Sequence, residues 1–435
     1  MKSLTTLSLV FLFVGNSVVA TAAANPQATT AFGEPLAAAQ KTTVANPQTA
    51  AQQSSANNIV VVLSMDGFRW DYSQIIGTPN LDRIAKEGVS AKKWQSSFPT
   101  ITFPNHYSMA TGLYPNNHGI IHNTFYNSEL GEEYSMSRKD LVGNGRFYKG
   151  EPVWNTAQKQ GKRTANFFWV GSEADIQGMR PDRWKPYDSR VSYGDRVDTV
   201  LKWLQLPGDE RPDLIMFYFE SPDNVTHNNH PVSSEKTKAI VKLCDSIVGV
   251  FYDKIKTLPN AAQIHFIVVS DHGMCPVTIE CSEYLSDYLK QEWIDYSNKG
   301  NPVAIMKIKE DKLDSALLML SKAEHLKAWK NTDVPERLHY GSNPDIGNLV
   351  VLADSAYNIF SSRDNVRSGA GKHGYDNLNS DMYGIFYGYG HDFKQNYKVD
   401  MLQNIQLYNI VCRLLNITPA ANDADISKIE PLFKK

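Results

Sequence analysis

Cysteine is scarce in this chain: four residues among 435, Cys244, Cys275, Cys281 and Cys412, and none near the amino terminus. A lipid-anchored leader, which needs a cysteine at its cleavage point, is therefore not expected. In an oxidising compartment the four permit two disulfides in three pairings, or buried thiols at Cys244 and Cys412, and spacing does not choose between them. Charge of one sign is also missing. Lys and Arg number 44 against 46 Asp and Glu, a formal net charge of -2. No basic field exists to hold a nucleic-acid polymer or an anionic membrane, so any affinity for phosphate has to rest on a local site. The apolar run Leu7 to Val14, broken only by Ser8, is too short for a membrane span.

That run follows Lys2 and precedes the small residues Ala20, Ala22 and Ala24, so residues 1–24 are expected to be a secretory signal peptide. The mature protein would then be secreted or periplasmic, with no stable membrane insertion. Residues 25–57 are rich in Ala, Thr, Gln, Asn and Pro, and Asn25-Pro26-Gln27 recurs as Asn46-Pro47-Gln48. Such a stretch cannot bury enough apolar area to offset its ordering entropy, and it is expected to be a disordered spacer. The remainder, 58–435, has the composition of a soluble globular protein, and the length could hold one large domain or two medium ones.

From Asn58 onward, short apolar runs alternate with helical periods. Ile59 to Met65, Ala165 to Val170, Leu214 to Phe219, Ile264 to Ser270 and Leu349 to Leu352 have the pattern of buried strands. Pro79 to Glu87, Ser234 to Leu258 and Met401 to Leu415 carry apolar residues at helical spacing. The alternation implies an α/β fold, a largely parallel central sheet with helices on both faces.

Carboxylates fall where such a sheet binds ligands. Asp66 follows the first strand, Asp223 lies just past the Leu214 run, and Asp271 follows the Ile264 run. His227, His272 and His373 accompany them, and Thr102 stands in Phe98-Pro-Thr-Ile-Thr-Phe-Pro-Asn-His106. Imidazole and carboxylate donors suit zinc, and the absence of thiolates argues against a structural finger. Seven donor groups exceed what one tetrahedral ion accepts. Two ions about 4 Å apart can clamp the attacking and leaving oxygens of a phosphoryl displacement. Pro104 favours a first helical turn, and Thr102 would stand at or just before that helix N-terminus, where the dipole favours an alkoxide and a bound phosphate. A plain N-cap is the competing role for Thr102.

These segments, with Ser270-Asp-His-Gly-Met274, His373-Gly-Tyr-Asp-Asn377 and the closing Leu407-Tyr-Asn-Ile-Val-Cys-Arg-Leu-Leu-Asn-Ile-Thr-Pro419, resemble the nucleotide pyrophosphatase/phosphodiesterase family of the alkaline phosphatase superfamily. The resemblance implies an alkaline-phosphatase-like core and a zinc-dependent hydrolase, 58–435 being a single catalytic phosphodiesterase domain. It would act on nucleotide phosphodiester or pyrophosphate bonds and release nucleoside 5'-monophosphates. It makes Thr102 the nucleophile and the exchangeable partner of one zinc ion held by Asp66, Asp271 and His272. Asp223, His227 and His373 would hold the second zinc ion. Asn123 matches a donor to a phosphate oxygen, and Phe103 and Tyr218 match positions that sandwich a nucleotide base. The pattern departs at Thr226, where relatives usually carry glycine. Hydrolysis of choline-containing lipids or glycerophosphodiesters, and monoesterase or phosphonate hydrolase activity, remain alternatives at the same site. A sulfatase is disfavoured because its Cys-x-Pro-x-Arg setting is missing. A non-catalytic binding protein on the same scaffold would have lost a ligand or Thr102, and none is lost.

Overall fold

The computed structural model describes residues 58–364 and 366–435, so the expected leader and spacer lie outside the described residues. Eight strands make the central sheet: β1 (Ile59–Met65), β2 (Val89–Gln95), β3 (Thr164–Phe167), β4 (Arg183–Lys185), β5 (Leu214–Phe219), β6 (Ile264–Val269), β7 (Phe386–Tyr389) and β8 (Tyr397–Gln403). Their order across the sheet is β8-β2-β7-β6-β1-β5-β3-β4. β1 lies parallel between β5 and β6, and β7 runs antiparallel to both of its neighbours. The other pairs are parallel, which bears out the expected α/β class.

The apolar runs in the strands follow from burial on both faces. Every residue of β1 is buried, with odd and even positions in different cores. Val60 and Val62 pack with Met216, Ile267 and the helix Gln406–Leu415. Ile59, Val61 and Leu63 pack with Phe217 and the helices Pro79–Glu87, Tyr193–Leu204 and Glu235–Lys256. The period-two alternation of a strand thus divides one apolar run between two helical layers. Among the described residues, no helix is long and apolar enough to cross a membrane.

Two expected elements move. Leu349–Ala353 is a strand, but it pairs antiparallel with Val303–Ile308 and Leu326–Lys330 in a separate four-stranded sheet. An apolar run reports burial and not which sheet it joins. Met401 to Gln403 ends β8, and the helix begins only at Gln406. The parallel pairing of Met401 with Lys93 overrides a helical stripe that continues by chance. The four cysteines are all free thiols, three of them buried.

Candidate metal centre

Three adjacent strands deliver the carboxylates to one edge of the sheet. Asp66 is the first residue after β1, Asp271 the second after β6, and Asp223 opens a short helical turn, Asp223–Thr226, beyond β5. Gly67 lets the β1 and β5 loops meet. Its φ is +65°, and a Cβ there would stand 2.9 Å from the Cβ of Asp223, so a side chain is refused twice over. In the Asp223 turn, Asp223 and His227 lie one turn apart, with His227 Nε2 3.3 Å from Asp223 Oδ2. Thr226 occupies that turn with its hydroxyl bonded to the carbonyl oxygens of Pro222 and Asp223, each at 3.1 Å. Its φ is not positive, so glycine is not needed for backbone geometry here.

Two clusters result, one of Asp66, Asp271 and His272 and the other of Asp223, His227 and His373. His272 Nε2 lies 3.1 Å from Asp271 Oδ2 and 3.5 Å from Asp66 Oδ1, and His373 Nε2 lies 3.6 Å from Asp223 Oδ1. The His272 and His373 rings stack across the clusters with centroids 3.7 Å apart. Each ring is turned by its other nitrogen. Nδ1 of His272, His373 and His227 bonds the carbonyl oxygens of Gly273, Thr100 and Gly371, at 2.8, 3.0 and 3.1 Å. That bond leaves the Nε2 lone pair pointing into the cluster, the arrangement a metal-binding imidazole needs.

The carboxylates are short of partners. Asp66 Oδ1, Asp223 Oδ1 and Asp271 Oδ2 are buried without a hydrogen bond. Burial, then the neighbouring charges of Asp271 and Asp223, raise Asp66 well above the usual carboxylate range. Burial also opposes ionisation of Asp271, yet His272 and His106 hold that carboxyl below its usual range. Burial and the adjacent His272 push His373 well below the usual imidazole range, which keeps it neutral and able to ligate. Three crowded carboxylates with orphaned oxygens, facing the Nε2 atoms of three histidines, fit a pair of divalent cations.

Thr102 begins the helix Thr102–Thr111, and the N-cap is Ile101. Its hydroxyl does not cap; it lies 3.2 Å from His272 Nε2. Asn123 sits beside the same helix start, where its Oδ1 accepts the Phe103 N–H at 3.0 Å. With Oδ1 committed, Nδ2 is the amide's free end. A cavity of about 400 Å³ opens from Asp66 and Thr102 and is walled by Phe103, Tyr187, Tyr218 and Glu173. Tyr218 also donates its hydroxyl to Asp66 Oδ2 at 2.6 Å, so its polar end serves a carboxylate while its ring faces the cavity.

All the sequence-derived candidates therefore converge on one site. Two neighbours complete the site. Tyr187 lies in an irregular stretch after β4 with no patterning to mark it. His106, fully buried, links Ser64 Oγ at 2.9 Å to the carbonyl oxygen of Thr102 at 3.0 Å and approaches Asp271 Oδ2 at 3.4 Å. Its place four residues after Thr102 on the helix was the available signal.

Comparison with known proteins bears on the family. The family model described as type I phosphodiesterase/nucleotide pyrophosphatase matches residues 60–376. Human ectonucleotide pyrophosphatase/phosphodiesterase family member 1 is 36% identical over 387 residues, covering 86% of this chain and 42% of the relative. The bovine family member 3 is 35% identical over 385 residues, covering 86% of this chain and 44% of the relative. The chain thus spans less than half the length of these curated relatives. The structure of murine ectonucleotide pyrophosphatase/phosphodiesterase 5 superposes with a TM-score of 0.82 at 30% identity, over 87% of this chain and all of the other. On sequence, fold and site together, the chain belongs to the type I phosphodiesterase/nucleotide pyrophosphatase family of the alkaline phosphatase superfamily.

Proposed function

We propose that this protein hydrolyses phosphodiester and pyrophosphate bonds of nucleotides, releasing nucleoside 5'-monophosphates, with Thr102 as the nucleophile. The observation that carries the proposal is the position of the Thr102 hydroxyl. It stands beside the Asp66/Asp271/His272 cluster and on the wall of an aromatic-lined cavity. Asp66, Asp271 and His272 would hold one zinc ion, and Asp223, His227 and His373 the other. Bound there, the two ions supply Lewis-acid charge that lowers the pKa of the hydroxyl and offsets charge on the reacting oxygens.

The chain's own groups do the rest. The helix that starts at Thr102 directs its positive dipole end at the phosphoryl group. Asn123 Nδ2 donates to a phosphoryl oxygen, because Oδ1 is held by the Phe103 amide. The Thr102 Oγ–phosphorus bond forms as the bond to the leaving oxygen breaks. Water then opens the threonine ester and restores the hydroxyl. Phe103, Tyr187 and Tyr218 line the cavity and offer flat faces for a base. An inactive variant of the murine relative is described in complex with AMP, in keeping with a nucleotide ligand. Residues 1–24 are proposed to direct export, to the periplasm or beyond the cell.

A substrate panel tests the reading. A nucleotide diester should be turned over in preference to a nucleotide monoester and to a choline phosphodiester, and dialysis against a chelator should abolish that turnover. Faster hydrolysis of the choline ester would place the protein with the lipid-directed alternatives.

A further inference from the structure

A third cluster of metal-ligating side chains lies at the other end of β6. His265 is the second residue of that strand, six before Asp271, so the two lie about 20 Å apart along an extended chain. β7 runs antiparallel beside β6 and brings Tyr389 opposite Phe266, so the next residues pass directly over His265. Gly390 makes that crossing feasible. Its φ is +147°, and a Cβ there would stand 2.2 Å from Cδ2 of the His265 ring. The turn sets His391 and Asp392 against the buried imidazole, with the two histidine ring centroids 4.6 Å apart. Asp392 Oδ2 lies 3.0 Å from His265 Nε2 and 3.4 Å from His391 Nε2.

Those separations have a chemical meaning. Tetrahedral zinc with nitrogen and oxygen donors at about 2.0–2.1 Å spaces its donors roughly 3.3 Å apart. The candidate metal centre shows the same range, 3.1 to 3.6 Å. His265 is fully buried; its Nδ1 has no partner, and its Nε2 faces the Asp392 carboxylate. A cation between Nε2 and that carboxylate oxygen would be ligated by both, with no buried imidazolium required. Asp392 is held in place by Asn58 Nδ2, which donates to Oδ2 at 2.9 Å, and by the Lys434 amide on its carbonyl oxygen, also at 2.9 Å. The positive Lys434 Nζ is engaged elsewhere, on the His391 carbonyl oxygen at 2.7 Å. A cavity of about 620 Å³ borders Asn58, His391, Asp392 and Lys434, so the cluster is open on one side for a fourth ligand such as water.

We propose that His265, His391 and Asp392 form a separate divalent-cation site, suited to zinc, that fastens the start of β6 to the turn after β7. The site lies far from Thr102 and has no part in turnover. Elemental analysis of full-length protein equilibrated with zinc and then dialysed tests it. Wild-type protein should hold one zinc equivalent per chain more than His391→Ala or Asp392→Ala, while hydrolysis of a nucleotide diester is unchanged in both. Adding zinc to chelator-treated protein should raise the melting temperature further in wild type than in either variant. If one variant fails to fold, the other decides, since both side chains are partly exposed. Equal zinc contents in wild type and the folded variants would overturn the site, as would an equal rise in melting temperature.

Discussion

A threonine in the first turn of a helix ordinarily serves the backbone, and at Thr102 the surroundings remove that role. Ile101 is the N-cap, and the Thr102 hydroxyl turns instead to His272. If it is the nucleophile, Thr102→Ala deletes the group that bonds phosphorus while leaving all three aspartates and all three histidines in place. Its rate on a nucleotide diester should fall by about 10³- to 10⁶-fold, whereas its metal content stays at the wild-type level. Thr102→Ser, which keeps the hydroxyl, should retain measurable turnover. Two successive in-line displacements should retain configuration at a chiral phosphorothioate. Net inversion, or an alanine variant near the wild-type rate, would show that water attacks directly. At this scale the sequence was most informative for residues in unusual strings, such as Thr102 between two prolines or His272 after Asp271. It was least informative for Tyr187, whose relevance comes only from the wall it shares with Phe103.

Elements position the ligands through the points where they touch. The β1 and β5 loops meet at Gly67, and the backbone of that meeting is tight: the Asp223 N–H donates to the Asp66 carbonyl oxygen at 3.1 Å, and the Gly67 N–H to Asp271 Oδ1 at 3.1 Å. Gly67→Ala would force a Cβ into a left-handed backbone and against Asp223. A stability loss of about 1–2 kcal/mol is expected from the conformation alone. Displacement of Asp223 should in addition weaken metal retention on dialysis. Urea unfolding and elemental analysis check both, and an alanine variant equal to wild type in both would show that the loops do not need this approach. The same scale explains the two displaced elements. Leu349–Ala353 and Met401–Gln403 have the right local pattern, but their partners, Val303–Ile308 and β2, are far away in the chain.

For the molecule as a whole, two buried histidines make stability depend on pH. Burial lowers His118 to about 3 and His122 to about 4, even though nearby backbone groups favour the charged form. His118 Nε2 bonds Ser108 Oγ at 3.0 Å while its Nδ1 accepts the Ile120 N–H at 3.2 Å, and His122 Nδ1 accepts the Thr124 N–H at 3.3 Å. Both rings are therefore neutral in the folded protein. In the unfolded chain each takes up a proton below about pH 6.5. Their contribution is thus fully present above that pH and is lost as pH falls from about 6.5 toward 4 and 3, by roughly 1 kcal/mol per pH unit for each ring. Urea midpoints measured from pH 7.5 to 5 should fall more steeply for wild type than for His122→Gln. Superimposable pH profiles would mean that His122 is not the buried neutral group described.

What the sequence determined by itself is whatever short-range chemistry encodes. Unbroken apolar runs such as Ile59 to Leu63 and Leu214 to Phe217 imply strands covered on both faces, because no polar residue is left for solvent. Asp and His in short strings imply a metal centre, because those donors have few other uses together. Only the tertiary structure decided which strands are neighbours, and hence that Asp66, Asp223 and Asp271 share one edge. It also decided that His265 and the adjacent pair His391 and Asp392, more than 120 positions further along the chain, lie within a ligand's reach. Sheet order is set by the packing of whole layers against two cores, a sum over many weak contacts that no single string of residues records.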